Sequence, residues 1–146
     1  MDVDDLKLVN DSLGHPQGDR VLQAVALALS RHFRPGDLVS RFGGDEFVVY
    51  LTGELNQLQM RRSLKQLLSE ISLIRVGPQD DFPIQASLGA SWGLVGDQAF
   101  TQLCAQADAA LYQVKKHGKN GFALYFPGME EQPLPAQEET LEIVLS

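Results

Sequence analysis

Three stretches of this chain combine residue types and spacings that could do chemistry. Met1-Asp2-Val3-Asp4 sets two carboxylates two residues apart, and in an extended strand alternation turns Asp2 and Asp4 to one face and Val3 to the other. A carboxylate at a strand end suits a hard cation, and Mg2+ needs only one or two of them, with water and phosphate oxygens completing its shell. The same residues also read as a solvated acidic start. Arg41-Phe42-Gly43-Gly44-Asp45-Glu46-Phe47 places two acids directly after two glycines, which permit positive φ and close backbone approach by a ligand. This is either a metal-holding turn or an ordinary Gly-Gly hairpin with exposed acids. Lys7-x-x-Asn10-Asp11-x-x-Gly14-His15-x-x-Gly18-Asp19 reads as a loop and helix start. Asn10 offers a donor and an acceptor and an ionised Asp19 only acceptors, a pair suited to guanine, whose N1 and N2 groups donate and whose O6 and N3 accept. The competing role for Asn10, Asp11 or Asp19 is helix capping.

The elements that must position these residues follow from hydropathy. Val21, Leu22, Val25 and Leu29 recur at helical spacing between Asp19 and His32, until Arg34-Pro35-Gly36-Asp37 breaks the pattern. Leu38-Val39 and Phe47 to Leu51 are β-rich runs on either side of Gly43-Gly44 and predict a hairpin. Leu58, Leu64, Leu67, Leu68 and Ile71 predict a helix over roughly 55–73, followed by a turn at Gly77-Pro78-Gln79-Asp80-Asp81. Ile84 to Leu94 reads as a strand. Phe100, Leu103, Cys104, Ala107, Leu111 and Val114 form a helical stripe that ends in Lys115, Lys116, His117 and Gly118, and Phe122 to Phe126 reads as a last strand. The order predicts an α/β (α+β) sandwich with one mixed sheet flanked by helices. From Gly128 the composition turns to Glu, Gln and Pro, so 128–146 reads as a tail or linker. His32 and His117 read as helix-end surface residues, and Trp92 and Cys104 as belonging to or bordering the core.

Composition sets outer bounds. The chain has 146 residues, 12 Lys+Arg against 19 Asp+Glu, a net charge of −7 and 44% apolar residues, which suits one folded domain and argues against disorder. No stretch approaches the ~18–20 apolar residues of a membrane span, and residues 1–15 do not resemble a signal peptide. The single Cys104 excludes an intramolecular disulfide and points to a reducing cytoplasm. The acidic balance argues against nucleic acid or a membrane surface as partner.

Taken in order and spacing, these pieces resemble the GGDEF domain of diguanylate cyclases. GGDEF stands intact at Gly43 to Phe47, and DVDDLKLVNDSLGHPQGD is similar to the family's segment after its first core strand. QASLGAS at 85–91 and ADAALYQVKKHGKNG at 107–121 are similar to its central strand and to its last helix and turn. The resemblance implies a nucleotidyl-cyclase, palm-like fold with a central five-stranded mixed sheet over 1–127. Family domains begin earlier, with a helix and a full first strand, so it also implies a domain lacking that helix and most of that strand.

The implied reaction joins two GTP into cyclic di-GMP with release of two pyrophosphates, across a homodimer in which each domain supplies one nucleotide. By resemblance, Asp2, Asp45 and the carbonyl of Val3 hold two Mg2+ per active site, with Mn2+ an acceptable substitute, and Glu46 joins Asp2 and Asp45 in the catalytic set as base or metal-site helper. Lys115, Lys119 and the backbone at Asp5 and Leu6 match phosphate-binding positions, with Lys7, Gly43 and Gly44 beside the nucleotide. The family more often has Arg at the position of Lys119, and lysine keeps the charge but not the bidentate geometry. Asn10 and Asp19 match the guanine-reading pair. Arg34-x-x-Asp37 matches the inhibitory product site, which also recruits a second cation such as Arg61, Arg62 or Lys65. The alternative is a catalytically silent GTP-binding or cyclic di-GMP receptor domain, which the intact Asp2, Asp45 and Glu46 argue against. A metal-dependent phosphohydrolase would need a hydrolytic base that the sequence does not offer.

Overall fold

The structure, a computed structural model, describes residues 1–93 and 100–129. The central strand of its five-stranded sheet is the shortest of the five. β1 (Asp2–Val3) lies between β3 (Glu46–Tyr50) and β6 (Ala86–Ala90), antiparallel to both, with Asp2 opposite Glu46 on one side and Ser87 on the other. β2 (Leu38–Gly43) completes the hairpin with β3, and β7 (Gly121–Leu124) runs parallel to β6, giving the sheet order β2-β3-β1-β6-β7. This is the mixed five-stranded sheet expected from the order of elements.

After Val3 the chain leaves the sheet at Asp5, whose backbone is left-handed (φ 57), and enters α1 (Leu6–Leu13). The sequence reading took this stretch for a loop. Leu6, Val9 and Leu13 carry helical spacing, and Leu6 and Val9 are buried, yet Asn10, Asp11 and Gly14 mask so short a period. α2 starts at His15, with Pro16 in its first turn, and runs to His32, four residues earlier than the expected start. α3 (Gln57–Ser72) opens with a reciprocal capping box between Asn56 and Gln59. The expected strand Ile84–Leu94 is shorter, its sheet strand β6 covering only Ala86–Ala90, and the two sides of the expected turn before it carry a small separate hairpin of β4 (Arg75–Val76) and β5 (Phe82–Pro83); Leu94 lies outside the described residues. α4 (Phe100–Lys116) packs across β6 and β7.

The main core joins Val21, Val25 and Leu29 of α2, Leu64, Leu67 and Ile71 of α3, and Val3, Phe47, Ala86 and Leu88 of the sheet. Each large apolar side chain so buried contributes about 1.5–3 kcal/mol. Ala110, Val114, Ala123 and Met129 form a smaller cluster, so Gly128 and Met129 lie with the folded body; the expected tail from Glu130 onward lies outside the described residues.

Two expectations need correction. His32 is an interhelix residue: Nδ1 lies 2.9 Å from Glu70 Oε2 and Nε2 2.9 Å from Ser63 Oγ, pinning the end of α2 to α3. Nothing local in sequence marks a partner thirty residues away. Trp92, by contrast, is 46% exposed. Cys104 is half-buried, and burial together with Asp108 pushes its thiol above the ordinary range. Among the described residues no helix is long and apolar enough to cross a membrane.

Candidate active site

The acids at 2, 45 and 46 converge because three backbone segments meet at the start of β1. Val3 N–H donates to the carbonyl of Asp45 at 3.0 Å, and Phe47 N–H donates to the carbonyl of Met1 at 2.9 Å, so the strand is stitched to the hairpin on both sides of Asp2. Asp2 and Glu46 are direct register partners, which puts their side chains on the same face. The hairpin closes on the two-residue loop Gly44-Asp45, because Gly43 pairs with Glu46. Gly44 has φ +34, and Arg41 Nε donates to its carbonyl at 3.1 Å, bracing the turn from which Asp45 projects. Gly43 differs: no atom lies within 4 Å of where its Cβ would stand. The fold therefore has no packing need for glycine there, whereas a ligand pressed against the backbone would.

Asp2 is 8% exposed. Burial, and then the neighbouring Asp45 carboxylate, raise its pKa above the ordinary carboxylate value, while its hydrogen bond with Lys115 pulls the other way. Two carboxylates held together against their repulsion, with one lysine as partial counterweight, offer hard oxygen donors of the kind a divalent cation takes. The described residues contain no group of three or more His, Cys, Asp or Glu placed to hold a metal.

Asp4 behaves differently from the strand reading. The strand ends at Val3, and Asp4 turns inward, 7% exposed. Its Oδ1 accepts from Ser87 Oγ at 2.7 Å and its Oδ2 from Asn120 N–H at 2.9 Å. Asp4 thereby fastens the turn after α4, in which Gly118, Lys119 and Asn120 all have positive φ, and that turn carries Lys119. Sequence reasoning assigned Asp4 no role of its own; the only signal was an acid that the strand-end arrangement does not require as a ligand. Asp4→Ala should cost about 1–3 kcal/mol in urea unfolding, because the buried Ser87 hydroxyl and the part-buried Asn120 N–H lose their acceptor. It should also weaken nucleotide binding by loosening the Lys119 turn.

Lys115, in the last turn of α4, reaches Asp2, and Lys119 Nζ lies 2.7 Å from Asp5 Oδ1. Both expected phosphate-binding cations thus stand beside the acids of the first segment. Asp5 is the N-cap of α1 but makes no side-chain cap, so the first-turn N–H groups around Leu6 have no carboxylate from it. Lys7 is exposed.

Asp19 is exposed on α2 and lines a cleft of about 390 Å³ together with Leu22, Ala26, Val39, Arg41 and Phe47. Asn10 does not line this cleft. Its carboxamide lies against Gly18, where a Cβ would come within 1.8 Å of Oδ1, and that buried oxygen has no hydrogen-bond partner. The bare Gly18 therefore lets Asn10 pack one residue from Asp19, with an acceptor left over. Neither Asn10 nor Asp11 is an N-cap, since both lie inside α1.

The Arg34–Asp37 pair is a turn in this structure. Asp37 Oδ2 accepts from Arg34 N–H at 2.9 Å and Oδ1 from Thr52 N–H at 3.0 Å, so the carboxylate orders its own loop, and Arg34 is exposed. Arg61, Arg62 and Lys65 all lie on α3, the helix that His32 ties to the end of α2.

Comparison with known proteins agrees with this geometry. Residues 1–121 match the family model described as diguanylate cyclase, GGDEF domain. Over 127 residues the chain is 33% identical to the diguanylate cyclase DosC of Escherichia coli K12, covering 86% of this chain and 27% of that protein. It is 32% identical over 126 residues to the cyclic di-GMP phosphodiesterase PdeB of Shewanella oneidensis, covering 86% of this chain and 15% of that protein. The chain therefore spans about a quarter or less of the length of these relatives. Among solved structures, the GGDEF domain of DgcB from Caulobacter crescentus in complex with c-di-GMP superposes with a TM-score of 0.76 at 28% identity, covering 84% of this chain and 73% of that one. A superposing fold, an intact glycine–acid hairpin facing Asp2 and a family match over most of the chain lead to one conclusion: the chain belongs to the GGDEF-domain family of diguanylate cyclases.

Proposed function

We propose that this domain condenses two GTP molecules into cyclic di-GMP and two pyrophosphates, working as a homodimer in the cytoplasm in which each domain holds one nucleotide. The observation that carries this reading is the joining of Asp2 and Asp45 beside Lys115 at a hairpin tip whose Gly43 is open. Asp2, Asp45 and the carbonyl of Val3 would hold Mg2+, or Mn2+ in its place, and the bound metal would acidify the attacking 3′-hydroxyl and neutralise the leaving pyrophosphate. Glu46, the register partner of Asp2, would take the proton of that hydroxyl or steady the metal ligands. Lys115, Lys119 and the N-terminal N–H groups of α1 bind the phosphate chain, and Asp4 keeps the lysine turn in place. Asp19, which lines the cleft, accepts from the guanine N1 and N2 groups, and Asn10, packed against the adjacent Gly18, adds a donor and an acceptor.

The test is incubation with GTP and Mg2+ at high protein concentration, followed by mass analysis of products. Cyclic di-GMP with pyrophosphate supports the cyclase, orthophosphate supports hydrolysis, and bound but unchanged GTP supports a receptor domain. The last has one specific observation behind it, namely that PdeB, a relative of comparable identity, is named a phosphodiesterase and not a cyclase.

Product inhibition is part of the proposal, with Arg34 and a cation of α3 as the binding groups. Arg34→Ala should weaken cyclic di-GMP binding about tenfold or more in calorimetry, since charge-assisted contacts are each worth about 1.5–3 kcal/mol. Asp37 is the wrong residue for that test, because removing it also frees the backbone of Arg34 and Thr52. Undiminished binding by Arg34→Ala would remove Arg34 from the site.

A further inference from the structure

Asp5 makes an unusual use of its position. As the residue before α1 it would ordinarily turn its carboxylate onto the first-turn N–H groups of the helix. Its backbone is left-handed instead (φ 57, ψ 28), it makes no cap, and its Oδ1 lies 2.7 Å from Lys119 Nζ, 114 residues away. Lys119 is set on a fixed base, since its turn runs through three consecutive positive-φ residues and is tied to Asp4 through Asn120 N–H. The pair is open to solvent, with side-chain exposures of 45% for Lys119 and 49% for Asp5. A ligand can therefore reach it.

We propose that the Asp5 carboxylate is a built-in competitor for the phosphate chain of the nucleotide: it occupies Lys119 in the empty domain and has to be displaced when GTP binds, so that Asp5 sets the domain's affinity for its substrate. The inference rests on the proposed GTP-binding reading and deepens it. A carboxylate is the nearest side-chain analogue of a phosphate oxygen, and here it sits on one phosphate-binding lysine and next to an uncapped helix start, both of which favour an anion. A triphosphate has more charge and more acceptor oxygens than one carboxylate, so it wins the lysine. It does so at a cost, because it breaks an ion pair and comes to lie near the displaced Asp5 charge. Lys119 shows the pairing already, its pKa being raised by the hydrogen bond and the charge of Asp5.

The left-handed backbone supplies a clean variant. Asn is among the side chains that best tolerate this conformation, so Asp5→Asn removes the charge while keeping the turn and the residue's N–H. Binding of GTP, inorganic triphosphate and guanosine would be measured with Mg2+ for the parent, Asp5→Asn, Lys119→Gln and the double variant, with thermal melts confirming that each is folded. Asp5→Asn should bind GTP and triphosphate about three- to tenfold more tightly at low salt, and the gain should fall below about twofold near 0.5 M salt, as expected for an exposed pair. Guanosine affinity should not change, and the gain should shrink by about half or more in the Lys119→Gln background, as a coupled pair requires. Unchanged or weaker triphosphate binding by Asp5→Asn would overturn the inference, as would an equal gain without Lys119 or an equal gain for guanosine. A parent domain that binds GTP while Asp5→Asn leaves affinity unmoved removes this inference alone; a folded parent that binds no GTP removes the nucleotide reading and the inference with it.

Discussion

Asp45→Asn should reduce cyclic di-GMP formation by about a thousandfold or more, the scale of losing a metal-holding or charge-stabilising group, and yet leave the domain slightly more stable. The two effects have one cause. In the parent, Asp45 helps raise the pKa of Asp2, after burial, because two carboxylates share one end of the sheet. An amide at 45 keeps the shape and removes the repulsion, so the Asp2 pKa moves down toward the ordinary value. The linkage sign follows from the direction of the Asp2 shift. A carboxyl whose pKa is raised on folding costs nothing below its unfolded value, and its cost grows as pH rises through the folded one. The melting-point gain of Asp45→Asn should therefore be present at neutral pH and vanish in acid, where Asp2 is protonated in both proteins. Mg2+ should reverse the ranking, raising the melting point of the parent more than that of the variant. Melts with and without Mg2+ across pH, beside a product assay, read all of this. Activity close to the parent's would remove Asp45 from the catalytic set, and a melting point lowered at neutral pH without metal would mean that the two acids do not repel.

How much of this was legible beforehand depends on the range of each interaction. The glycine–acid hairpin was readable because the signal is local: β-rich runs flank two glycines, and the register that places Asp45 in the loop follows from them. The mixed sheet and α2, α3 and α4 followed from apolar spacing for the same reason. α1 escaped because eight residues give barely two periods, and its polar members at 10 and 11 resemble loop residues. Asp4 was misplaced by extrapolating strand alternation one residue past the end of β1, where the left-handed Asp5 already turns the chain. The His32 bonds to Ser63 and Glu70 and the Asp4 bond to Asn120 span 31 to 116 residues, and nothing in a single sequence states which distant groups will meet. Site residues that resemblance named were found close to the acids where they contact one another, as with Lys115 and Asp2. Asn10 and Asp19 are brought near only through Gly18, a contact set by the packing of α1 on α2.

Gly89→Ala should be the most damaging single methyl in the domain. Gly89 lies in β6 beneath α4, and a Cβ there would stand 2.1 Å from the Ala107 carbonyl oxygen, 2.4 Å from Leu111 N and 2.9 Å from Leu111 Cα. All three are backbone atoms of a helix, so no side-chain rotation relieves the clash, and α4 must lift as a body or β6 must sink. Overpacking of this kind costs about 1–3 kcal/mol and occasionally more; with a rigid backbone on the receiving side, about 3 kcal/mol or above is expected here. Against a total stability of about 5–15 kcal/mol, that is a large share. The consequence reaches the site because Lys115 is in the last turn of the same helix and contacts Asp2. A lifted α4 withdraws the proposed phosphate-binding cation and leaves two neighbouring carboxylates without it. The urea midpoint should therefore fall, and GTP affinity should fall even under conditions in which the variant is folded. Gly43→Ala is the informative contrast. With no atom within 4 Å of its Cβ position, its stability should stay within about 0.5 kcal/mol of the parent while nucleotide binding suffers. If Gly89→Ala unfolds at the parent's urea concentration, α4 does not press on β6 as closely as the structure has it; if Gly43→Ala binds and turns over GTP like the parent, the bare hairpin tip is not a surface kept clear for the nucleotide.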